Sequence, residues 1–490
     1  MKILTSQEAK NIDKITIEKG ISSEILMEQA AFAVADIVEN YNPTLILSVV
    51  SKGNNGGDGV ATARILKNRG YDVEILIVGD PEQGSKDFKK QLEIAREYQI
   101  DIFNYKDISV DMKKYDLIID GLIGIGLKGE VQGEISEVIK EINNAGARVI
   151  SIDIPSGIST DTGEILGQAV VADETVTFGF LKIGHLLYPA RDYCGEIKIA
   201  PLSFDNSLLS SINRELIRDE LAKSLLPYRP NDSYKYRFGS ILILAGSKKY
   251  PGAPIITAIG AQRTGAGLVK LITPQDSSDI LGLEPSVIYN SLNKEYFEED
   301  DVLYLKEDIE RSNVIIIGPG ITEKAIRFVD KIVNQYKDKK KFLLDADALA
   351  LLKDENTQLG ENFVITPHVG ELAKVFKNVK NDVFTLEDYA KKIDCTVVYK
   401  SSTTIITNGE ETYFNIFGNS SLAKGGSGDL LSGVIGSFMA QGLPLMQASV
   451  LGSYLVYKTA RDLSEEYTSY YVTPRLIADN IYKTIIKLEK

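Results

Sequence analysis

Short apolar runs bounded by turn residues recur along the chain, with amphipathic stretches between them. Leu45–Val50, Val73–Val78, Leu117–Asp120, Val149–Ile152 and Thr175–Phe178 read as buried strands. Helical patterns fall between them. Ser6 to about Val38 makes two amphipathic segments broken at Gly20, and Val60–Asn68, Phe88–Tyr98 and Ile135–Asn143 follow. Strands alternating with helices predict a doubly wound parallel sheet, with its loops at the strand C-termini. The alternation then resets. Phe204–Leu226 carries helical and linker features, and a second set of strands begins at Ile241–Ala245. Leu268–Thr273, Val314–Ile317, Phe342–Leu344, Val364–Thr366, Val397–Lys400 and Ile405–Thr407 continue it. A chain of 490 residues exceeds what one core organises. The expectation is two α/β domains, residues 1–212 and 213–490.

One helical pattern in the second half opens on a glycine-rich turn. Leu430, Leu431, Val434, Ile435, Phe438 and Met439 mark one helix face, and Lys424-Gly425-Gly426-Ser427-Gly428-Asp429 stands directly before it. Such a turn aims backbone N–H groups at one spot, backed by the positive end of the helix dipole, and so suits a phosphate. A carboxylate beside an anion hole is electrostatically unfavourable unless it takes a proton from an attacking hydroxyl. Asp429 therefore reads as a general base. The plain alternative is a glycine C-cap followed by an N-capping Asp.

Other strand ends carry polar loops. In the first half they are Gly53–Gly59, Asp120–Gly126 and Asp153–Gly157, which an open parallel sheet brings to one edge. Oxygen donors such as Asn55, Asp120 and Ser156 suit a hard cation. Neither glycine loop is a Walker A motif, and Gly53–Gly59 does not match G-x-G-x-x-G spacing; each alone could be a tight turn. In the second half, Asp345 and Asp347 share one side of an extended segment in this reading. They could organise Mg²⁺ or bond ligand hydroxyls, or Asp347 could cap a helix. His368 lies in a strand-end loop as a candidate ligand contact. Lys400-Ser401-Ser402-Thr403-Thr404 offers a cation and hydroxyls to a nucleotide, or is a polar hairpin.

Composition narrows the chemistry. The net charge of −13 argues against general nucleic-acid binding. Two cysteines and two histidines leave no disulfide framework and no multi-histidine zinc site. The N-terminus lacks an apolar leader and no apolar run approaches a membrane span, so a cytoplasmic protein is expected.

The first half resembles the NAD(P)H-hydrate epimerase family through Leu26-Met27-Glu28, Gly53-Asn54-Asn55-Gly56-Gly57-Asp58-Gly59, Asp153-Ile154-Pro155-Ser156-Gly157 and Thr177–Lys182. The resemblance implies a Rossmann-like fold that interconverts the C6 epimers of hydrated NADH or NADPH. It implies nucleotide contacts from Asn54, Asn55, Gly56, Gly57 and Asp58, and from Gly124, Ile125, Gly126, Leu127, Lys128, Gly129 and Glu130. It assigns K⁺ to Asn55, Asp120 and Ser156. Asp153 would contact the hydrated ring as the acid/base group. Lys182 is a further catalytic candidate, although a lone lysine after a strand is usually solvated. Gln29 stands where the family usually has Asn.

The second half is similar to the ribokinase-like superfamily, in its ADP/ATP-dependent NAD(P)H-hydrate dehydratase branch. The shared strings are Leu244–Ser247, Thr264–Val269, Gly318-Pro319-Gly320, Asp345–Leu349, Thr366–Glu371 and Gly425–Asp429. The resemblance implies that Ala253, Gly320, His368 and Asp429 contact the hydrated dinucleotide. It implies that Lys400, Ser401, Ser402, Thr403, Thr404 and Gly428 hold the adenine nucleotide. Tyr234, Ser401, Ser420, Ser421 and Lys424 depart from its usual pattern. Together the halves imply repair of hydrated NAD(P)H with ADP (or ATP), Mg²⁺ and K⁺, by a homo-oligomer acting on small molecules. The alternative is a vitamin or sugar kinase with a nucleotide-sensing first domain.

Overall fold

Residues 1–108, 110–354, 356–376 and 382–489 are described by a computed structural model. The chain divides into two units, Met1–Asn213 and Arg214–Lys490, each with its own α/β core. Among the described residues no helix is long and apolar enough to cross a membrane.

The first unit starts with α1 (Ser6–Glu18) and α2 (Ser23–Glu39). Thr5 and Glu8 form a capping box at α1, satisfying two amides that the first helical turn leaves unpaired. The sheet contains β1 (Leu45–Ser51), β2 (Asp72–Val78), β3 (Asp101–Asn104), β4 (Leu117–Gly121), β5 (Arg148–Ile152), β6 (Glu174–Phe178) and β7 (Glu196–Ala200). Its order is β3-β2-β1-β4-β5-β6-β7, parallel throughout. This is the Rossmann-like order, with its switch point between β1 and β4.

The glycine loop after β1 differs from the sequence expectation. Helix α3 runs from Asn54 to Asn68, so Gly56, Gly57 and Gly59 lie inside it and not in a turn. Glycine's low helix propensity hides this, and close packing explains it. A Cβ on Gly56 would lie 1.7 Å from the Ser51 carbonyl oxygen, and one on Gly57 would lie 2.6 Å from the Met27 methyl. The helix can press onto the sheet only where side chains are absent.

Among the described residues the second unit's sheet has ten strands, and the first lies inside the expected linker. They are β8 (Arg214–Leu216), β9 (Ser240–Leu244), β10 (Leu268–Thr273), β11 (Ile288–Ser291), β12 (Val314–Ile317), β13 (Lys341–Leu344), β14 (Phe363–Ile365), β15 (Thr396–Tyr399), β16 (Thr404–Thr407) and β17 (Thr412–Asn415). Their order is β8-β17-β16-β15-β14-β13-β12-β9-β10-β11. The run from β15 to β11 is parallel, and β16 pairs antiparallel with both its neighbours. Two packed helices, α4 (Gly252–Arg263) and α5 (Ser427–Ala440), help cover the sheet. Helix α5 is buried on all sides from Leu430 to Ala440. The one-sided stripe expected from the sequence is therefore only part of its packed surface.

Candidate active sites

In the first unit the C-terminal ends of β4, β5 and β6 converge. Asp120, fully buried at the end of β4, is the tie. Its Oδ1 accepts from Ser156 Oγ at 2.6 Å and Leu122 N at 3.2 Å. Its Oδ2 accepts from Ser151 Oγ and Ser156 N, both at 2.9 Å. Burial raises the Asp120 pKa above the ordinary carboxyl value, and these four donors oppose the rise. Ser156 Oγ also accepts from Ile123 N at 2.8 Å, which fixes the loop preceding Gly124. A Cβ on Gly124 would lie 2.8 Å from Asn55 Oδ1, so the proposed cation donors share this edge. The Asn55 Nδ2 is buried without a partner.

Beside this edge lies a cavity of about 160 Å³. Asp13, Asn54, Asp58, Asp153, Phe178 and Lys182 line it, among others. Asp153 adopts φ +64°, a left-handed conformation uncommon outside glycine and found at functional sites. His185 holds it there. The His185 Nδ1 accepts from Lys182 N at 3.0 Å, so its Nε2 carries the proton and donates to the Asp153 carbonyl oxygen at 2.9 Å. Burial and the Lys182 charge lower the His185 pKa to about 4, which keeps the ring neutral.

Lys182 is not solvated as its sequence position suggested; it is 3% exposed. Its ammonium pairs with Asp153 Oδ1 and donates to Thr177 Oγ1 at 2.8 Å. Burial acts to raise the Asp153 pKa, but the Lys182 charge and hydrogen bond outweigh it and hold the group below the ordinary range. No sequence signal singled out His185 or Asp13. Gln29 exchanges hydrogen bonds with Ser203, its Nε2 donating to Oγ at 2.8 Å and its Oε1 accepting from the amide at 3.0 Å.

In the second unit, the loops after β9, β12, β13, β14 and β15 share one sheet edge because those strands are parallel. Gly320 and Ala253 meet there, with 2.9 Å between Ala253 Cβ and an ideal Cβ on Gly320. His368 caps the helix at Val369–Val375. Its Nδ1 accepts from Gly370 N and Glu371 N, and much of its ring remains exposed. Lys400 bridges in parallel to His368. It donates to Asp345 Oδ1 at 2.7 Å, and Ser432 Oγ donates to Asp345 Oδ2 at 2.8 Å. Ala346 at φ +51° turns the chain left-handed, and Asp347 enters a short 3-10 helix. The two carboxylates therefore do not share an extended face, and Asp345 is committed to Lys400.

The glycine turn opens α5 as expected. Gly426 at φ +94° is its N-cap, and the first-turn amides lack carbonyl partners four residues back. Ser427 Oγ is buried there without a partner. Lys400 Nζ lies 3.2 Å from where a Cβ on Gly428 would sit, which places an ammonium beside the amides. The Asp429 pKa is raised to about 7, mainly by burial and then by the Asp345 and Glu371 charges, with Lys400 opposing.

Lys424 has another task. Its ammonium donates to the carbonyl oxygens of Ser469, Tyr470 and Val472, which clamps that segment to the turn and occupies all three hydrogens. Lys424→Ala is expected to lower the local opening free energy by roughly 2 kcal/mol, the scale of a lost charge-assisted bond. Hydrogen–deuterium exchange at the Tyr471 and Val472 amides should quicken at least tenfold.

Comparison with known proteins brings names to both halves. Residues 23–184 match the family described as YjeF-related protein N-terminus, and residues 241–483 match the NAD(P)H-hydrate dehydratase family. A bifunctional NAD(P)H-hydrate repair enzyme of Dictyoglomus turgidum is 36% identical over 485 residues, covering 93% of this chain and 92% of the relative. One from Thermofilum pendens is 32% identical over 493 residues, covering 95% and 92%. A solved ribokinase-like superfamily protein of Enterococcus faecalis is 26% identical with a TM-score of 0.52, covering 56% of this chain and 96% of that one.

Proposed function

We propose a function for a chain that belongs to the family of bifunctional NAD(P)H-hydrate repair enzymes: its first unit epimerises hydrated NAD(P)H, and its second dehydrates the S epimer at the expense of ADP. The observation that carries the dehydratase half is Asp429, a carboxyl with a pKa of about 7 at the mouth of an N-terminal amide turn. A base poised near neutrality can accept a hydroxyl proton and release it again.

In this reading Ala253, Gly320 and His368 seat the hydrated dinucleotide, and Lys400 to Thr404 with Gly428 hold the nucleotide. Asp429 takes the proton of the C6 hydroxyl as its oxygen attacks the terminal phosphorus of MgADP. The Gly425–Gly428 amides and the Lys400 ammonium face the charge that gathers on the moving phosphoryl group. AMP leaves. Phosphate, a far better leaving group than hydroxide, then departs from C6 as C5 loses a proton, and the ring double bond returns.

In the first unit, Asn54 to Asp58 and Gly124 to Glu130 would hold the nucleotide, and Asp153 and Lys182 would meet the hydrated ring. K⁺ would be held by Asn55, Asp120 and Ser156, whose oxygens are hard donors on one edge. When bound it would supply fixed positive charge near the phosphates.

Incubating mixed R and S hydrated NADH with MgADP should restore NADH absorbance in full, with AMP and phosphate released in equal amounts. Recovery of only half would remove the epimerase assignment. A stable phosphorylated product with no NADH would favour the small-molecule kinase instead.

A further inference from the structure

The cavity of the first unit holds a carboxyl without a role so far. Asp13, on α1, lines it together with Asp58, Asp87, Asp153 and Lys182. Asp13 makes no hydrogen bond or ion pair with another described residue, so its oxygens are left to whatever fills the cavity.

Its neighbours are poorly suited to moving a proton. Asp153 accepts from Lys182, Thr177 Oγ1 and Phe178 N, and these hold it ionised. Asp58 is pushed well above the ordinary carboxyl range, mainly by burial and then by the charges of Asp153, Asp13 and Asp87. Lys182 is committed to Asp153 and Thr177. Burial thus disfavours ionisation of Asp58, and the Lys182 charge disfavours protonation of Asp153.

We propose that Asp13 carries the proton between the C6 oxygen and N1 of the hydrated ring during epimerisation, an inference that rests on the epimerase reading above. The Asp13 carboxylate takes the hydroxyl proton. The oxygen's electron pair closes a C6 carbonyl as the N1–C6 bond breaks, and that bond's pair passes to N1. Asp13 then returns the proton to N1, leaving an open-chain aldehyde. Rotation about C5–C6 offers the other carbonyl face, and the same transfers in reverse close the second epimer. No co-reactant is consumed and no net proton is gained. Burial, followed by the Asp153 charge, raises Asp13 to about 6, with Lys182 opposing. That value suits a group that must both accept and donate near neutral pH.

The test compares the full-length wild type with Asp13→Asn and Asp13→Glu. R-to-S exchange is followed by proton NMR without a phosphoryl donor, and dehydration of pure S epimer is assayed separately. The Asn variant should lose about 10²–10⁴-fold in exchange while still binding the hydrated nucleotide and dehydrating the S form at the wild-type rate. Wild-type exchange should fall off below about pH 6, the limb should vanish in Asp13→Asn, and Asp13→Glu should recover part of the rate. Wild-type exchange in Asp13→Asn, or survival of the limb, would overturn the inference and leave the epimerase reading standing. A wild type that exchanges no epimers would overturn both.

Discussion

Replacing Asp429 with Asn is expected to slow dehydration of the S epimer by about 10²–10⁴-fold and to stabilise the second unit at pH 8. The two effects share a cause. Asp429 sits among the charges of Asp345 and Glu371 in a buried turn, and its pKa rises from 3.8 to about 7. The charged form that the proposed base must adopt is the form the fold disfavours. The folded chain binds the Asp429 proton more tightly than the unfolded chain does. The stabilising contribution of the neutral carboxyl is therefore complete below about pH 4 and is lost as pH rises through about 7. The gap corresponds to roughly 4 kcal/mol at pH 8. Asn removes the ionisation and should regain much of it, a gain that shrinks steadily between pH 7 and pH 4. Denaturant melts at pH 8 and pH 4.5, read with single-turnover dehydration, separate the effects. Wild-type kcat/KM should fall about tenfold for each pH unit below 7. Equal stability of the two proteins at pH 8 would mean that Asp429 is not held against its charge.

That coupling was half legible in the sequence. The glycines and Asp429 stand together in the chain, so the glycine turn that opens the helix could be read directly. The pressure on Asp429 could not, because Asp345 and Lys400 lie far from it in sequence and meet only when β13 and β15 reach the same edge. The first half behaves alike. Polar loops at strand ends were visible, since short apolar runs define the strands that present them. The helix over Asn54–Gly59 was not, because propensity reads three glycines as a turn while contacts with Ser51 and Met27 require them in a helix. The short strand Arg214–Leu216 escaped because its pairing with Thr412–Phe414 is nearly two hundred residues away. The burial of Lys182 is not legible locally, since its partner Asp153 is fixed by His185 and Thr177 through tertiary contacts.

Lys182→Met should therefore destabilise the first unit by about 3–5 kcal/mol, the usual result of stripping one partner from a buried ion pair. Met keeps the length and apolar stem of Lys182 but removes the ammonium that holds Asp153 ionised. The carboxylate would be left 8% exposed with only Thr177 Oγ1 and the Phe178 amide as donors. Its pKa must then rise, and the stability it contributes at neutral pH is lost. The rescue is specific. Adding Asp153→Asn removes the orphaned charge, and Asn tolerates the φ of +64° at that position as a β-branched or bulky residue would not. The double variant should recover most of the lost stability in denaturant melts, because removing both charges of a buried pair is far milder than removing one. It should not recover epimerisation, in which the charge pair is proposed to meet the ring, while the S epimer is still dehydrated by the second unit. A single variant that loses less than about 1 kcal/mol, the scale of an exposed pair, would show that water reaches Lys182 and Asp153 in solution.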